Sequence, residues 1–188
     1  MGKENKYSDQ DALVVIDVQN DFVNGALGSD AAQAILPGVV EMVKDFPGFV
    51  LATKDTHTWD YEQTLEGHKL PVIHCVKNTA GWAFPMALDE ALSRRQYKTE
   101  ILEKFTFGNK DIGAALCGIA GWSGHAKSRT IYICGLCTDI CVISNALILR
   151  ATFLNTRMVC LQELCAGTSK EAHDAALTVM RSCQIDVE

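Results

Sequence analysis

Short apolar runs that are rich in β-branched residues recur along this chain, each followed by a segment of helical period. Ala12 to Ile16 reads ALVVI, Phe49 to Thr53 reads FVLAT and Thr130 to Cys134 reads TIYIC. Runs with no polar alternation are what strands buried on both faces require, and such strands belong to parallel sheets. Between the first two, Ile35 to Lys44 (ILPGVVEMVK) has helical spacing. Further strands are predicted at Thr99 to Lys104 and Met158 to Gln162, with helices at Asp111 to Ile119, Thr138 to Leu154 and Ser169 to Ser182 and a last apolar stretch at Gln184 to Val187. The alternation predicts an α/β fold of three layers, α/β/α, with a mostly parallel, Rossmann-like sheet.

The length of 188 residues suits one domain, which can bury a core without disulfides or a structural metal. We expect a flexible leader over 1–10 and a single domain over 11–188. The exception to the alternation is Thr56 to Leu92, where Trp59, Tyr61, Gly67, Pro71, Gly81 and Pro85 interrupt any period; a long irregular segment in a compact domain is expected beside a site.

The start, MGKENKYSDQ, is polar, and no run of about 18 apolar residues occurs, so neither a secretory signal nor a membrane span is predicted. A cytoplasmic setting is expected, in which the eight cysteines stay reduced. With 17 Lys+Arg against 23 Asp+Glu the net charge is −6, and the longest basic run is Arg94-Arg95, so nucleic acid is not an expected partner. Lys127, Ser128 and Arg129 read as a solvated loop, and His68 and His125 as surface residues.

Ligands of doubly wound sheets bind beyond the carboxyl ends of the strands. Those positions hold Asp17, Gln19, Asp21 and Phe22 after the first strand, Asp55 and His57 after the second, Lys104 after the third, and Gly135 to Cys141 after the fourth. Cys141 falls in the first turn of the next helix, where free N–H groups and the dipole favour a thiolate. Thr138 and Asp139 would cap that helix. A Lys104 ammonium would lower the thiol pKa further, and Asp17 could take the proton and return it to a leaving group. Taken singly each residue also has a packing reading, since free cysteines are commonly buried.

Five segments carry a family resemblance: VVIDVQNDF (Val14 to Phe22), TKDTH (Thr53 to His57), HCVKNTAGW (His74 to Trp82), EKFTFG (Glu103 to Gly108) and GLCTDICV (Gly135 to Val142). In this order, from about residue 11 to the end, the chain resembles the isochorismatase-like cysteine hydrolases, the superfamily that includes nicotinamidases. The resemblance implies a catalytic triad of Asp17, Lys104 and Cys141, and hydrolysis of a small carboxamide through a thioester with release of ammonia. It implies a cis Leu136–Cys137 peptide and an oxyanion hole from the N–H groups of Cys137 and Cys141. Phe22, Trp82 and Leu136 are the expected substrate contacts. Asp55, His57 and His74 are similar to the metal site of nicotinamidases, and one carboxylate with two imidazoles suits zinc, iron or manganese. No organic cofactor is expected; family members are commonly oligomeric, so a homo-oligomer is.

The chain departs from the nicotinamidase pattern in three places. Leu70-Pro71 stands where a Trp-Pro pair is expected, Asn78 replaces a glycine, and Ile140 replaces a frequent aromatic. Three other readings stay open: a vinyl-ether hydrolase of isochorismatase type, a thiol oxidoreductase using Cys134 and Cys137 as a Cys-x-x-C pair, and a non-catalytic binding module. Cys75, Cys117, Cys160, Cys165 and Cys183 read as small core residues.

Overall fold

A computed structural model describes residues 6–95, 99–120 and 129–188. Six strands run parallel in one sheet: β1 (Ala12–Ile16), β2 (Phe49–Asp55), β3 (Thr99–Lys104), β4 (Thr130–Leu136), β5 (Arg157–Ala166) and β6 (Asp186–Val187). Their spatial order is β3-β2-β1-β4-β5-β6, so the chain reverses direction across the sheet between β1 and β4. That switch point opens a crevice at the strand ends. Every residue of β1 is buried, as a run without alternation demands.

The described residues include seven α-helices: α1 (Asn20–Val23), α2 (Asp30–Asp45), α3 (Leu65–Lys69), α4 (Met86–Ser93), α5 (Ile112–Ala120), α6 (Ile143–Thr152) and α7 (Lys170–Ser182). One group packs α1 and α4 on α2, which lies against β4 and β5; the other joins α5, α6 and α7 over β2, β3, β5 and β6. Ser29 caps α2 and Ser169 caps α7, each side-chain oxygen accepting from an N–H three residues on. Among the described residues no helix is long and apolar enough to cross a membrane.

The predicted strands recur with later ends: β2 and β4 each run two residues further, to Asp55 and Leu136. Strand β5 is longer still, because its register against β4 shifts from Ile133↔Cys160 to Gly135↔Cys165. The shift bulges the intervening residues and brings the buried Cys160 and Cys165 sulfurs to 3.8 Å. The segment predicted as irregular contains two helices, α3 and α4, and Leu88, Ala91 and Leu92 of α4 are buried.

The leader is anchored where it is described. Tyr7 packs edge-on against Tyr132 and tilted against Phe46, because its ring closes an aromatic cluster at the bottom of β4. His68 is exposed, as predicted, whereas Lys127, Ser128 and His125 lie outside the described residues.

Two backbone positions fix the crevice. Asp17 turns out of β1 with φ 49°, and Gly135 has φ 122°. A Cβ on Gly135 would meet the Ile16 carbonyl oxygen at 2.1 Å, so only glycine lets β1 and β4 lie this close where both carry site residues.

Candidate active site

Lys104 is the centre of the floor. Its Nζ lies 2.7 Å from Asp17 Oδ2, 2.9 Å from Asp55 Oδ1 and 3.4 Å from Cys141 Sγ. Asp17 is wholly buried and Lys104 is 1% exposed. The Thr53 hydroxyl donates to Asp17 Oδ1 at 2.6 Å and accepts the Asp17 N–H at 3.1 Å, which fixes the carboxylate against β2. The structure thus brings together the acid, the lysine and the thiol predicted from three strand ends.

Burial opposes a charge on Lys104, but Asp17, Cys141 and Asp55 outweigh it and hold the ammonium protonated. Burial raises the pKa of Asp17 against the pull of Lys104. The Cys141 thiol is pushed well above its ordinary value, first by burial and then by Asp17, with Lys104 opposing. The lysine predicted to favour a thiolate is thus shared with two carboxylates, which offset its pull on the sulfur.

Cys141 sits in a π-helical turn, Thr138–Val142, that precedes α6, and Leu136–Cys137 is a cis peptide. The Cys137 carbonyl accepts from the N–H groups of Ile140 and Val142. Thr138 and Asp139 do not cap this turn. Thr138 Oγ1 is hydrogen-bonded to His173 Nδ1 at 2.8 Å, and the Asp139 carboxylate accepts from the N–H and hydroxyl of Thr168 at 2.8 and 2.6 Å. The buried Asn145 braces the turn, donating to the carbonyls of Cys141 and Phe107 while accepting the Asn109 N–H.

The wall is built by the segment after β2. Asp55 Oδ2 is 2.8 Å from His57 Nε2 and 3.6 Å from His74 Nε2, and all three residues are buried. One ligand atom from each lies within 4.8 Å of the others. His74 Nδ1 donates to the Val72 carbonyl at 2.7 Å, which leaves Nε2 facing inward as an acceptor in the neutral ring. His57 Nε2 is buried without satisfactory hydrogen-bond geometry. Despite burial, the two imidazoles and Lys104 hold the Asp55 carboxyl well below the usual range. Such a cluster fits a divalent cation. Sequence reasoning passed over Glu66, whose Oε1 lies 3.7 Å from His57 Nε2 and 3.9 Å from His74 Nε2. A lone glutamate in a short polar helix carries no spacing signal; only the return of α3 over the histidines reveals it.

Gln19 and Asp21 join wall to floor. Gln19, wholly buried, accepts the Asp55 N–H at 2.7 Å and donates to the carbonyls of Asp55 and Trp82 at 2.9 Å each, so its amide continues the pairing that β1 abandons at Asp17. Asp21 Oδ2 accepts the Cys75 N–H at 2.7 Å beside His74. Cys75 and Asn78 have φ of 46° and 66°; asparagine tolerates this conformation better than most residues, a physical reason for Asn where the family pattern has glycine.

A cavity of about 360 Å³ lies above the floor, lined by Phe22, Leu70, Phe107, Leu136, Ile140 and Cys141 among others. Phe22 also packs on the His74 ring at 5.5 Å. Trp82 is a correction: it does not line the cavity. Lys54 Nζ stands 3.9 Å from the centre of its ring and the Trp82 indole N–H donates to Thr56 Oγ1 at 2.9 Å, so a cation–π contact and a hydrogen bond hold the ring against β2. All eight cysteines are free thiols. Cys134 is buried within β4, while Cys117 and Cys183 are only half-buried rather than core.

The sequence model of the isochorismatase domain family matches residues 11–188, and the chain belongs to that family. It is 27% identical over 207 aligned residues to the nicotinamidase of Schizosaccharomyces pombe, covering 94% of this chain and 91% of the relative. To the nicotinamidase/pyrazinamidase of Mycobacterium tuberculosis it is 28% identical, with 94% and 97% covered. The solved pyrazinamidase of Pyrococcus horikoshii in complex with zinc superposes with a TM-score of 0.75 at 26% identity over 95% of this chain and 98% of that one.

Proposed function

We propose that this protein is a cysteine amidohydrolase that cleaves a small primary carboxamide of the nicotinamide kind and releases ammonia. The observation that carries the reading is the meeting of the Lys104 ammonium with the Asp17 carboxylate and with the Cys141 thiol, which lines the cavity above them. In the cycle we propose, Asp17 takes the thiol proton as Sγ attacks the amide carbon, and the oxyanion is received by the N–H groups of Cys137 and Cys141. Asp17 then gives the proton to the nitrogen, the C–N bond breaks and ammonia leaves a thioester. Water, deprotonated by Asp17, attacks the thioester, and the proton returns to sulfur as the carboxylic acid is freed.

Lys104 holds Asp17 and Asp55 in place and offsets part of the charge of the two buried carboxylates. Asp55, His57 and His74, with Glu66 adjoining, would hold a divalent ion such as zinc, iron or manganese; when bound it supplies a Lewis-acid contact for a pyridine nitrogen. A closed floor around the acid suits an unsubstituted amide nitrogen. The vinyl-ether alternative would leave both the thiol and the histidine cluster without a task. A homo-oligomer and a cytoplasmic setting remain part of this proposal.

The test is ammonia release from nicotinamide by the purified protein supplied with zinc, iron or manganese. Turnover that saturates with substrate is expected. Absence of ammonia from nicotinamide, pyrazinamide and a panel of small aliphatic amides, under all three metals, would overturn the reading.

A further inference from the structure

The cavity is wider than a one-ring amide needs. Its lining runs from Asp55 and His74, beyond the end of β2, to Gly167 and Thr168, beyond the end of β5. In the order β2-β1-β4-β5 that is three strand intervals, roughly 14 Å at the usual spacing between paired strands. Cys141 follows β4, so it divides this span unequally. A ring placed between the thiol and the histidines occupies the β2 side and leaves the β5 side unfilled.

From these positions we infer a second compartment of the site, on the β5 side, that receives an apolar substituent on the ring of the substrate. The inference rests on the amidase reading and specifies its substrate class: uncharged primary carboxamides larger than one ring. The N-terminal turn of α2 supplies one wall, because α2 lies along β5, where Gly38 packs closely on the Leu164 side chain. That wall presents Ala32; Ile140 also lines the cavity, and Thr168 is held in place by Asp139.

No lysine or arginine among the described residues lines the cavity, whereas Asp55 and Glu66 do, so a substituent bearing a carboxylate would find no counter-charge. The compartment also has a way out. Ser29, Gly167 and Thr168 line both this cavity and a surface groove of about 750 Å³. The substituent belongs to the acyl side of the amide, since the leaving nitrogen must face Asp17, which is wholly buried.

On a nicotinamide ring, the carbon at position 5 mirrors the nitrogen across the carboxamide axis. With nitrogen toward His74, a group on that carbon points toward β5. The experiment compares kcat/KM for 5-phenylnicotinamide and nicotinamide in the wild type, Ala32→Leu and Ile140→Phe. In the wild type the two values are expected within about tenfold of each other. Either substitution narrows the compartment and is expected to lower the phenyl-to-parent ratio by tenfold or more, the scale on which an apolar pocket discriminates by size. Ile140→Phe keeps the test decisive if Ala32→Leu, at a nearly closed core position, does not fold. Efficient turnover of nicotinamide with a phenyl compound slower by a thousandfold would overturn the compartment and leave the amidase reading standing. An unchanged ratio in every variant that folds would overturn its placement. Ammonia from neither compound would remove both conclusions.

Discussion

The floor and the wall of this site are built by different means. Asp17, Lys104 and Cys141 follow strands whose register is fixed by backbone pairing over five residues or more, and their side chains are almost fully buried. His57, Glu66 and His74 belong to the segment after β2, which folds back on itself through the isolated bridge His57↔Val76 and meets its neighbours at scattered backbone contacts, Thr56 to Lys104, Asn20 to Ala83 and Asp21 to Gly81, rather than along a ladder. Single side chains add to these: Asp21 on Cys75, Gln19 on Asp55 and Trp82, and Tyr61 packed at 4.6 and 5.0 Å on the two imidazole rings. The difference teaches a division of labour. In the proposed reading the floor sets the chemistry, whereas the wall sets what is bound.

The sharpest way to break this comparison is at the nucleophile. Cys141→Ala is expected to lower kcat for ammonia release by roughly a thousandfold or more, because residues of a triad act as one unit, while the melting temperature stays near that of the parent. Residual turnover within tenfold of the wild type would mean that the floor does not carry the chemistry. His74→Ala acts on the wall. It should lose bound metal by elemental analysis and raise KM by roughly tenfold to a hundredfold, the scale of weakened metal sites, with a smaller change in kcat. A fall confined to kcat would erase the distinction between the two regions.

Trp82→Leu tests whether the wall is held by side chains away from the cavity. It removes the contact with Lys54 and the hydrogen bond to Thr56, so urea denaturation should report a loss of about 2 kcal/mol, with KM little changed. The smallest effect is expected where charges are exposed. Lys6 first, and then Arg157, hold the Glu188 carboxyl below its ordinary value. A carboxyl whose pKa is lowered by folding stabilises above its unfolded value, near pH 4.5, and loses that contribution as pH falls through the folded value. Glu188→Gln should therefore cost no more than about 0.5 kcal/mol at pH 7, with the difference vanishing in acid, because surface pairs are screened.

The same contrast explains what could be read from the sequence. The floor was legible because buried parallel strands announce themselves as uninterrupted apolar runs, and the residue after each run needs no further information to be placed. Asp55 and His57 shared that advantage. Glu66 did not, nor did the role of Trp82: an aromatic in an irregular segment can face a cavity or a lysine, and the sequence before it is the same in both cases. Helix α4 was hidden by Pro85 at its start, and the full length of β5 by a bulge that period-two reasoning reads as the end of a strand. The sharing of the lysine was also out of reach, since Cys141 and Lys104 could be placed together without knowing that Asp17 and Asp55 both contact it.

The burial of Asp17 has one more consequence, which concerns traffic. In the proposed cycle four species must visit or leave one carboxylate: the amide, ammonia, water and the acid product. With no exposure of its own, that carboxylate is approached in the proposed cycle from the Cys141 side, so the four share one small space. The incoming water follows the path the ammonia has just vacated. The bulky acyl group, still tied to sulfur, stands between them and the solvent. A shared approach of this kind makes the shape of the cavity, and not only the reactivity of the thiol, a determinant of turnover in that cycle.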